Sequence, residues 1–461
     1  MTAHATPPAS LWFDQVAADE PEASVRRDPL DGDETADVVI VGAGLTGLWT
    51  AYYLLEQDPA LDVLIVEAEV AGFGASGRNG GWCSALFPVS ADELARRHGH
   101  DAALDMRAAM RDTVVEVGGV AAAEQIDCGF AFGGTVTLAR NRPQLERIAS
   151  DVGADARWGD ESHLLGPDEV EDHVRAQGVI GGSFTPDCAR IQPLRLVRGL
   201  VDVLVSRGAR LVEGTRALRL SPRAVVTDHG TVRARWVIRA TEAWTSQLPG
   251  SGRDVAPVYS HMIATEPLPP EVWSQIGLDR AQTFGDARHL IVYGQRTTDD
   301  RLAFGGRGAP YHLRSSIRPS YDQLTSTAEH LERELVELFP VLDHAVITHR
   351  WGGPLGVTRD WSPSVGLDAE TGIGWAGGYV GDGVATTNLA GRTLADLVTG
   401  TESPIVRLPW VGHRSPRWEP EPLRWAGITA ARRAAAWADR TELRSGHSSR
   451  VEAVLHKVLG G

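Results

Sequence analysis

Apolar residues run unbroken through Val38-Val39-Ile40-Val41, stop at Gly42-Ala43-Gly44-Leu45-Thr46-Gly47, and resume at helical spacing to about residue 56. Such a run fits a parallel strand buried on both faces. A second run, Val63-Leu64-Ile65-Val66, ends on Glu67. The pattern predicts strand, glycine turn, helix and strand in that order. Residues 91–126 read as helical, and 130–138 alternate like a strand. Leu194, Val197, Leu200, Val201 and Leu204 recur at helical spacing over 192–207, with Gly208 as the natural C-cap. Strands follow at 210–213, around Val225-Val226 and at 232–238, the last running through Trp236 into a turn at Ala240-Thr241. This block extends the first sheet. Strand-like segments broken by prolines occupy 258–307. An amphipathic helix spans 327–339, with Leu331, Leu335 and Leu338 on one face. A last strand, 372–375, leads into Gly377-Gly378-Tyr379-Val380-Gly381-Asp382-Gly383 and a helix over about 385–398.

The order of elements predicts an α/β protein in which a Rossmann-like nucleotide domain is interleaved with a mixed-sheet α+β substrate domain. The nucleotide domain takes residues 36–90, 188–258 and 348–400; the substrate domain takes 91–187 and 259–347. A leader, 1–35, wraps loosely over the surface with Leu11-Trp12-Phe13 as its anchor. A helical tail, 401–461, acts as a strap. It carries Trp410, Trp418, Trp425 and Trp437, a helix over about 422–440, and a short last helix lined by Val451, Val454, Leu455, Val458 and Leu459. At 461 residues the chain exceeds one simple core, which agrees with two domains.

The glycine turn adds chemistry to this plan. Gly42 permits the tight turn, Gly44 lets backbone approach a pyrophosphate, and Gly47 lets helix pack on strand. The helix opening at Leu45-Thr46 points its partial positive charge at phosphates, and Glu67, with Ala68 beside it, can take ribose hydroxyls. The chain therefore binds a dinucleotide. Its late return to the nucleotide sheet suits a ligand as long as FAD. Two glycine-rich stretches supply the extra backbone donors. In the first, Ser76 can bond the pyrophosphate and Arg78 can offset its charge, followed by Asn79, Gly80 and Gly81. In the second, Gly378, Gly381, Asp382, Gly383 and Val384 open a helix whose N-terminus can stabilise a reduced flavin. Ala217, Ala240, Thr241 and Trp244 complete the candidate cofactor-binding set.

Composition narrows the partners. Net charge is −15 with no basic block, which argues against nucleic acid. No apolar stretch approaches the roughly 20 residues that cross a bilayer, and the leader lacks the features of a signal peptide. Cys83, Cys128 and Cys188 are scattered, so neither a disulfide framework nor a structural zinc or other metal site is expected, and a reducing cytoplasm is.

Gly42 to Gly47 with Glu67, Gly74-Ala75-Ser76-Gly77-Arg78-Asn79-Gly80-Gly81, Ala240-Thr241-Glu242-Ala243-Trp244 and the 377–383 stretch together resemble one pattern. It is that of the FAD-dependent amine and amino-acid oxidase superfamily, which includes D-amino-acid, sarcosine and glycine oxidases. The block at Arg78-Asn79-Gly80-Gly81 is most similar to the gamma-glutamylputrescine oxidase-like branch. The resemblance spans about residues 36–398. It implies oxidation of a C–N bond, with hydride passing from the carbon beside a neutral amine to flavin N5 and the imine then hydrolysing. O2 would be the acceptor, giving hydrogen peroxide.

Two departures qualify what the resemblance implies. Some relatives attach flavin through a histidine in the segment matching 76–81 or through a cysteine near 377–388; this chain has neither, so noncovalent FAD is expected. Sarcosine-oxidase-type relatives place a lysine near the flavin for oxygen reduction, but the sole lysine here is Lys457. Oxidase and dehydrogenase both stay open. A flavin monooxygenase is a further rival, although no second fingerprint for NADPH is present, and a non-catalytic flavin-binding scaffold is another. Segments that the family places across the flavin supply the substrate-site candidates Trp82, Tyr259, His261, Tyr293, Arg307, Tyr311, His312 and Trp351. Of these, Arg307 can clamp a substrate carboxylate with two parallel hydrogen bonds.

Overall fold

The computed structural model describes residues 10–20, 26–308 and 310–449. The helix expected over 451–459, and Lys457 within it, lie outside the described residues.

The unbroken apolar run becomes the strand Glu34–Val41 at the centre of an eight-stranded sheet. It pairs in parallel with Val63–Val66 on one side and Thr231–Arg239 on the other. Arg210–Val212 and Ile373–Gly377 continue the parallel sheet outward, and Ser364–Asp368 closes one edge antiparallel. Side chains alternate between two covered faces, so the second half of the strand, 38–41, carries no polar position. Val38 and Ile40 face a core shared with the helices Leu45–Gln57 and Gly383–Thr399, while Val39 and Val41 face Leu30 and Val225. The last of these belongs to a short meander, Ala217–Ser221 and Ala224–Thr227, that hangs off Thr231–Arg239.

A second eight-stranded sheet runs in the order Ile347–Val357, Ala256–Thr265, Leu302–Gly306, Val292–Arg296, Thr283–Asp286, Thr135–Ala139, Gly181–Thr185 and His163–Leu165. Its pairs are antiparallel except Thr283–Asp286 with Thr135–Ala139. The helix Thr325–Leu338 buries Leu331, Leu335 and Leu338 against it, the face that the sequence periodicity picks out.

Of the segments that differ from the sequence reading, three shape the plan of the molecule. Residues 130–134 carry an isolated bridge at Ala131, and the strand begins at Thr135. The return to the first sheet expected at 348 comes later: Ile347–Val357 pairs along its length with Ala256–Thr265, with one register shift at Thr348, and first-sheet pairing resumes at Ser364. Most notably, the supposedly loose leader contains a helix, Leu11–Asp19, capped by Ser10 and buried at Leu11, Trp12 and Val16. A side-chain cap and three apolar positions on one face give this short segment a reason to fold.

The tail forms the helix Leu423–Ser445. Glu442, fully buried, accepts bonds from Arg147 and from the Ser449 amide, and Asp439 accepts the amides of His289 and Leu290. Trp410 and Trp418 are buried, whereas Trp425 and Trp437 stay exposed.

Candidate active site

The glycine turn has the geometry that its spacing requires. Gly42 has φ +110°, and a Cβ there would fall 2.6 Å from the Ala240 carbonyl oxygen. At Gly47 a Cβ would sit 2.0 Å from the Gly42 carbonyl oxygen, so the helix could not approach the strand. A groove runs from this turn, lined by Gly42, Gly44, Leu45, Thr46, Glu67, Ala68, Ser76 and Asn79 on one side. Ala217, Ala240, Thr241, Trp244, Gly381, Gly383 and Val384 line it further along. The sequence singles out all of these. It does not single out Phe73, Glu242, Leu355 or Tyr379, which line the groove as well. Tyr379 meets the Thr46 hydroxyl at 2.9 Å.

A second cavity opens off this groove, and the two share Ala75, Asn79, Leu355, Gly381 and Val384. Its walls include Trp82, Ser260, Met262, Ile291, Tyr293, Arg307, Trp361 and Asp382. The Tyr293 hydroxyl meets Ser260 Oγ at 3.0 Å, and its ring stands edge-on to Trp82. The indole N–H groups of Trp82 and Trp361 are buried without a hydrogen-bond partner among the described residues.

Three of the five candidate catalytic residues do not reach this cavity. Tyr259 and His261 alternate with Ser260 and Met262 along one strand, so they point to its opposite face. There His261 Nε2 bonds the Tyr321 carbonyl and burial lowers its pKa. Trp351 is buried in the core, its ring edge-on to Trp12. Tyr311 donates to Glu421, and His312 stacks on Tyr321 with ring centroids 3.5 Å apart. Trp82, Tyr293 and Arg307 are the candidates that line the cavity.

The segment between groove and cavity is held from several directions. Trp351 Nε1 donates to the Arg78 carbonyl at 2.9 Å, Trp12 Nε1 to Asn79 at 2.8 Å, and Gln295 Nε2 to Gly80 at 2.6 Å. Three successive carbonyls thus take donors from the N-terminal helix and the second sheet. The Asn79 side chain donates to Ala75 and Ser76 and accepts from the Gly81 amide. A Cβ on Gly81 would lie 2.1 Å from Gln295 Nε2, so Gly81 packs rather than lining either space.

The charge offset expected of Arg78 toward a pyrophosphate is spent elsewhere. Its buried guanidinium pairs with Asp322 at 2.9 Å, donates to the Gly352 carbonyl, and lies over the rings of Phe73 and Trp244. Gly378 likewise turns its amide to Glu242 instead of to the groove. Ser76 Oγ accepts the Leu45 amide at 2.9 Å, which leaves its own proton free to donate.

Three carboxylates mark this region. Burial lifts Glu67 to about 7, against the amides of Glu69 and Ala43 that favour its charge. Burial also lifts Glu242 to about 7, opposed by the amides of Gly378, Gly356 and Tyr379. Asp382 is raised by burial and pulled back by Arg307. Arg307 follows the strand Leu302–Gly306, and its guanidinium makes no hydrogen bond or ion pair to the described residues.

These residues fit FAD. Glu67 supplies an acceptor at the end of the second strand, and Ser76 supplies a hydroxyl donor at the glycine turn. The helix Gly383–Thr399 opens into the far end of the groove, beside the second cavity.

A family model described as FAD dependent oxidoreductase matches residues 37–397. The chain is 30% identical over 388 residues to gamma-glutamylputrescine oxidoreductase of Escherichia coli (strain K12), covering 81% of this chain and 86% of that protein. The fold is similar to glycine oxidase from Geobacillus kaustophilus, with TM-score 0.67, 21% identity, and coverage of 82% of this chain and 99% of that one. It is similar also to L-proline dehydrogenase from P. horikoshii, with TM-score 0.67, 18% identity, and coverage of 82% and 96%.

Proposed function

This chain belongs to the DAO family of FAD dependent oxidoreductases, and from that premise we propose that it oxidises the C–N bond of a small amine or amino acid bound in the second cavity. One observation carries this reading: Arg307, with no ion pair among the described residues, lines a cavity that shares five residues with the cofactor groove. A guanidinium there can take a substrate carboxylate with two parallel bonds and fix the reacting carbon. The relative that acts on gamma-glutamylputrescine, by its name, supports a substrate that carries both nitrogen and carboxylate.

Bound FAD supplies the acceptor for the hydride that leaves the carbon beside the nitrogen. The groove residues named above hold it, without a covalent bond, since no histidine lies in 76–81 and no cysteine in 377–388. Trp82, Tyr293, Met262 and Ile291 form the wall that excludes water while the imine forms.

The test is anaerobic titration of the flavoprotein with polyamines, N-methyl amino acids and D-amino acids, followed by mixing with air. We expect at least one class to bleach the flavin and air to restore it within the turnover time. A flavin that stays oxidised across the panel supports a non-catalytic scaffold, and rapid bleaching by NADPH supports a monooxygenase. Bleaching with reoxidation slower than turnover supports a dehydrogenase. The last reading has an observation in its favour, since no lysine occurs among the described residues.

A further inference from the structure

Asp382 stands at the N-cap of the helix Gly383–Thr399, yet its side chain makes no cap hydrogen bond. An aspartate in that place ordinarily turns back to satisfy the first-turn amides. This one lines the second cavity and is absent from the walls of the cofactor groove, where the sequence reading puts it. Its carboxylate makes no hydrogen bond or ion pair to the described residues. Arg307, which lines the same cavity without coming within ion-pair distance, is an opposite charge that acts on it.

A half-buried carboxylate without a partner gains most from one that brings positive charge and N–H donors. The aromatic side chains of Trp82 and Tyr293 line the same cavity, and such rings favour a cation over an anion at their faces. The cavity thus holds two separated charges of opposite sign on apolar and aromatic walls. We propose that Asp382 is a specificity-determining residue that binds a positively charged nitrogen of the substrate, distinct from the neutral amine that gives up the hydride, while Arg307 takes a carboxylate where the substrate has one. This rests on the reading of the second cavity as the substrate site.

The holoenzyme is titrated with butylamine, which carries only the cation, and with butyrate, which carries only the carboxylate. The change in the flavin spectrum gives the half-saturating concentration of each. Asp382→Asn should raise the value for butylamine about tenfold or more and leave butyrate within about twofold. Arg307→Gln should do the reverse, and Asp382→Glu, which keeps the charge, should recover part of the butylamine binding. Butylamine binding unchanged in Asp382→Asn, or both probes weakened alike, overturns the proposal. A wild-type flavin that responds to neither probe overturns the substrate-site reading itself, and with it the role of Asp382.

Discussion

Glu242 shows how much one residue can carry. Its backbone has φ +40°, a left-handed conformation that costs a non-glycine residue about 1 kcal/mol or more. In that position its carboxylate reaches the amides of Gly356, in the second sheet, and Gly378, in the glycine-rich return. The two sheets therefore meet on one side chain at the edge of the groove. Burial raises its carboxyl from the usual 4.5 to about 7. A carboxyl raised in the folded state binds more protons there than when unfolded, so its contribution is fully present below about pH 4.5 and is lost as pH rises to about 7. Urea unfolding at about pH 4.5 and about pH 7.5 should show this loss in wild type and a smaller one in Glu242→Gln. Equal losses in the two proteins would assign the pH dependence to other groups. The sequence displays Glu242 inside a recognisable turn, but nothing in it marks the positive φ or the distant amides.

Among the elements, those with a strong local period were legible and those that depend on pairing were not. The strands ending at Val41 and Val66, and the helices beginning at Leu45 and Thr325, follow from hydrophobic spacing. The strand Ala256–Thr265 was legible as a strand but not in its facing. Tyr259, His261 and Met262 are all buried, so burial did not distinguish the two faces, and the residues richest in chemistry lie on the wrong one. Likewise the edge strand Ile347–Val357 carries the glycines and tryptophan expected near the flavin, yet its partner is the second sheet.

The N-terminal helix is the element whose role the sequence hid most. Its Trp12 indole bonds the Asn79 carbonyl between the groove and the cavity. Trp12→Phe keeps a ring against Trp351 but removes that donor, which costs about 1 kcal/mol. FAD binding measured by equilibrium dialysis should weaken by about fivefold. An unchanged affinity, with only the melting temperature lowered, would confine Trp12 to packing.

At the scale of the whole molecule, the tail is a strap held along its length, from buried Trp410 and Trp418 through Glu421, on Tyr311, to Glu442. Glu442 pairs with Arg147 while fully buried, and Asp439 sits one turn before it on the amides of His289 and Leu290. Glu442→Ala takes that partner from Arg147, whose side chain is 22% exposed, a loss of roughly 1.5–3 kcal/mol. Limited proteolysis should then cut within the helix Leu423–Ser445 faster than in wild type and leave the remainder intact; an unchanged digestion rate would mean that the remaining contacts are sufficient. No helix among the described residues is long and apolar enough to cross a membrane. The three carbonyls held by Trp12, Gln295 and Trp351 also set a schedule for biosynthesis. Residue 351 emerges 273 residues after residue 78, roughly 14–55 s at ordinary rates of translation. Until then the nascent chain has its nucleotide fingerprint but not the last of the three donors, so cofactor capture belongs to the end of synthesis.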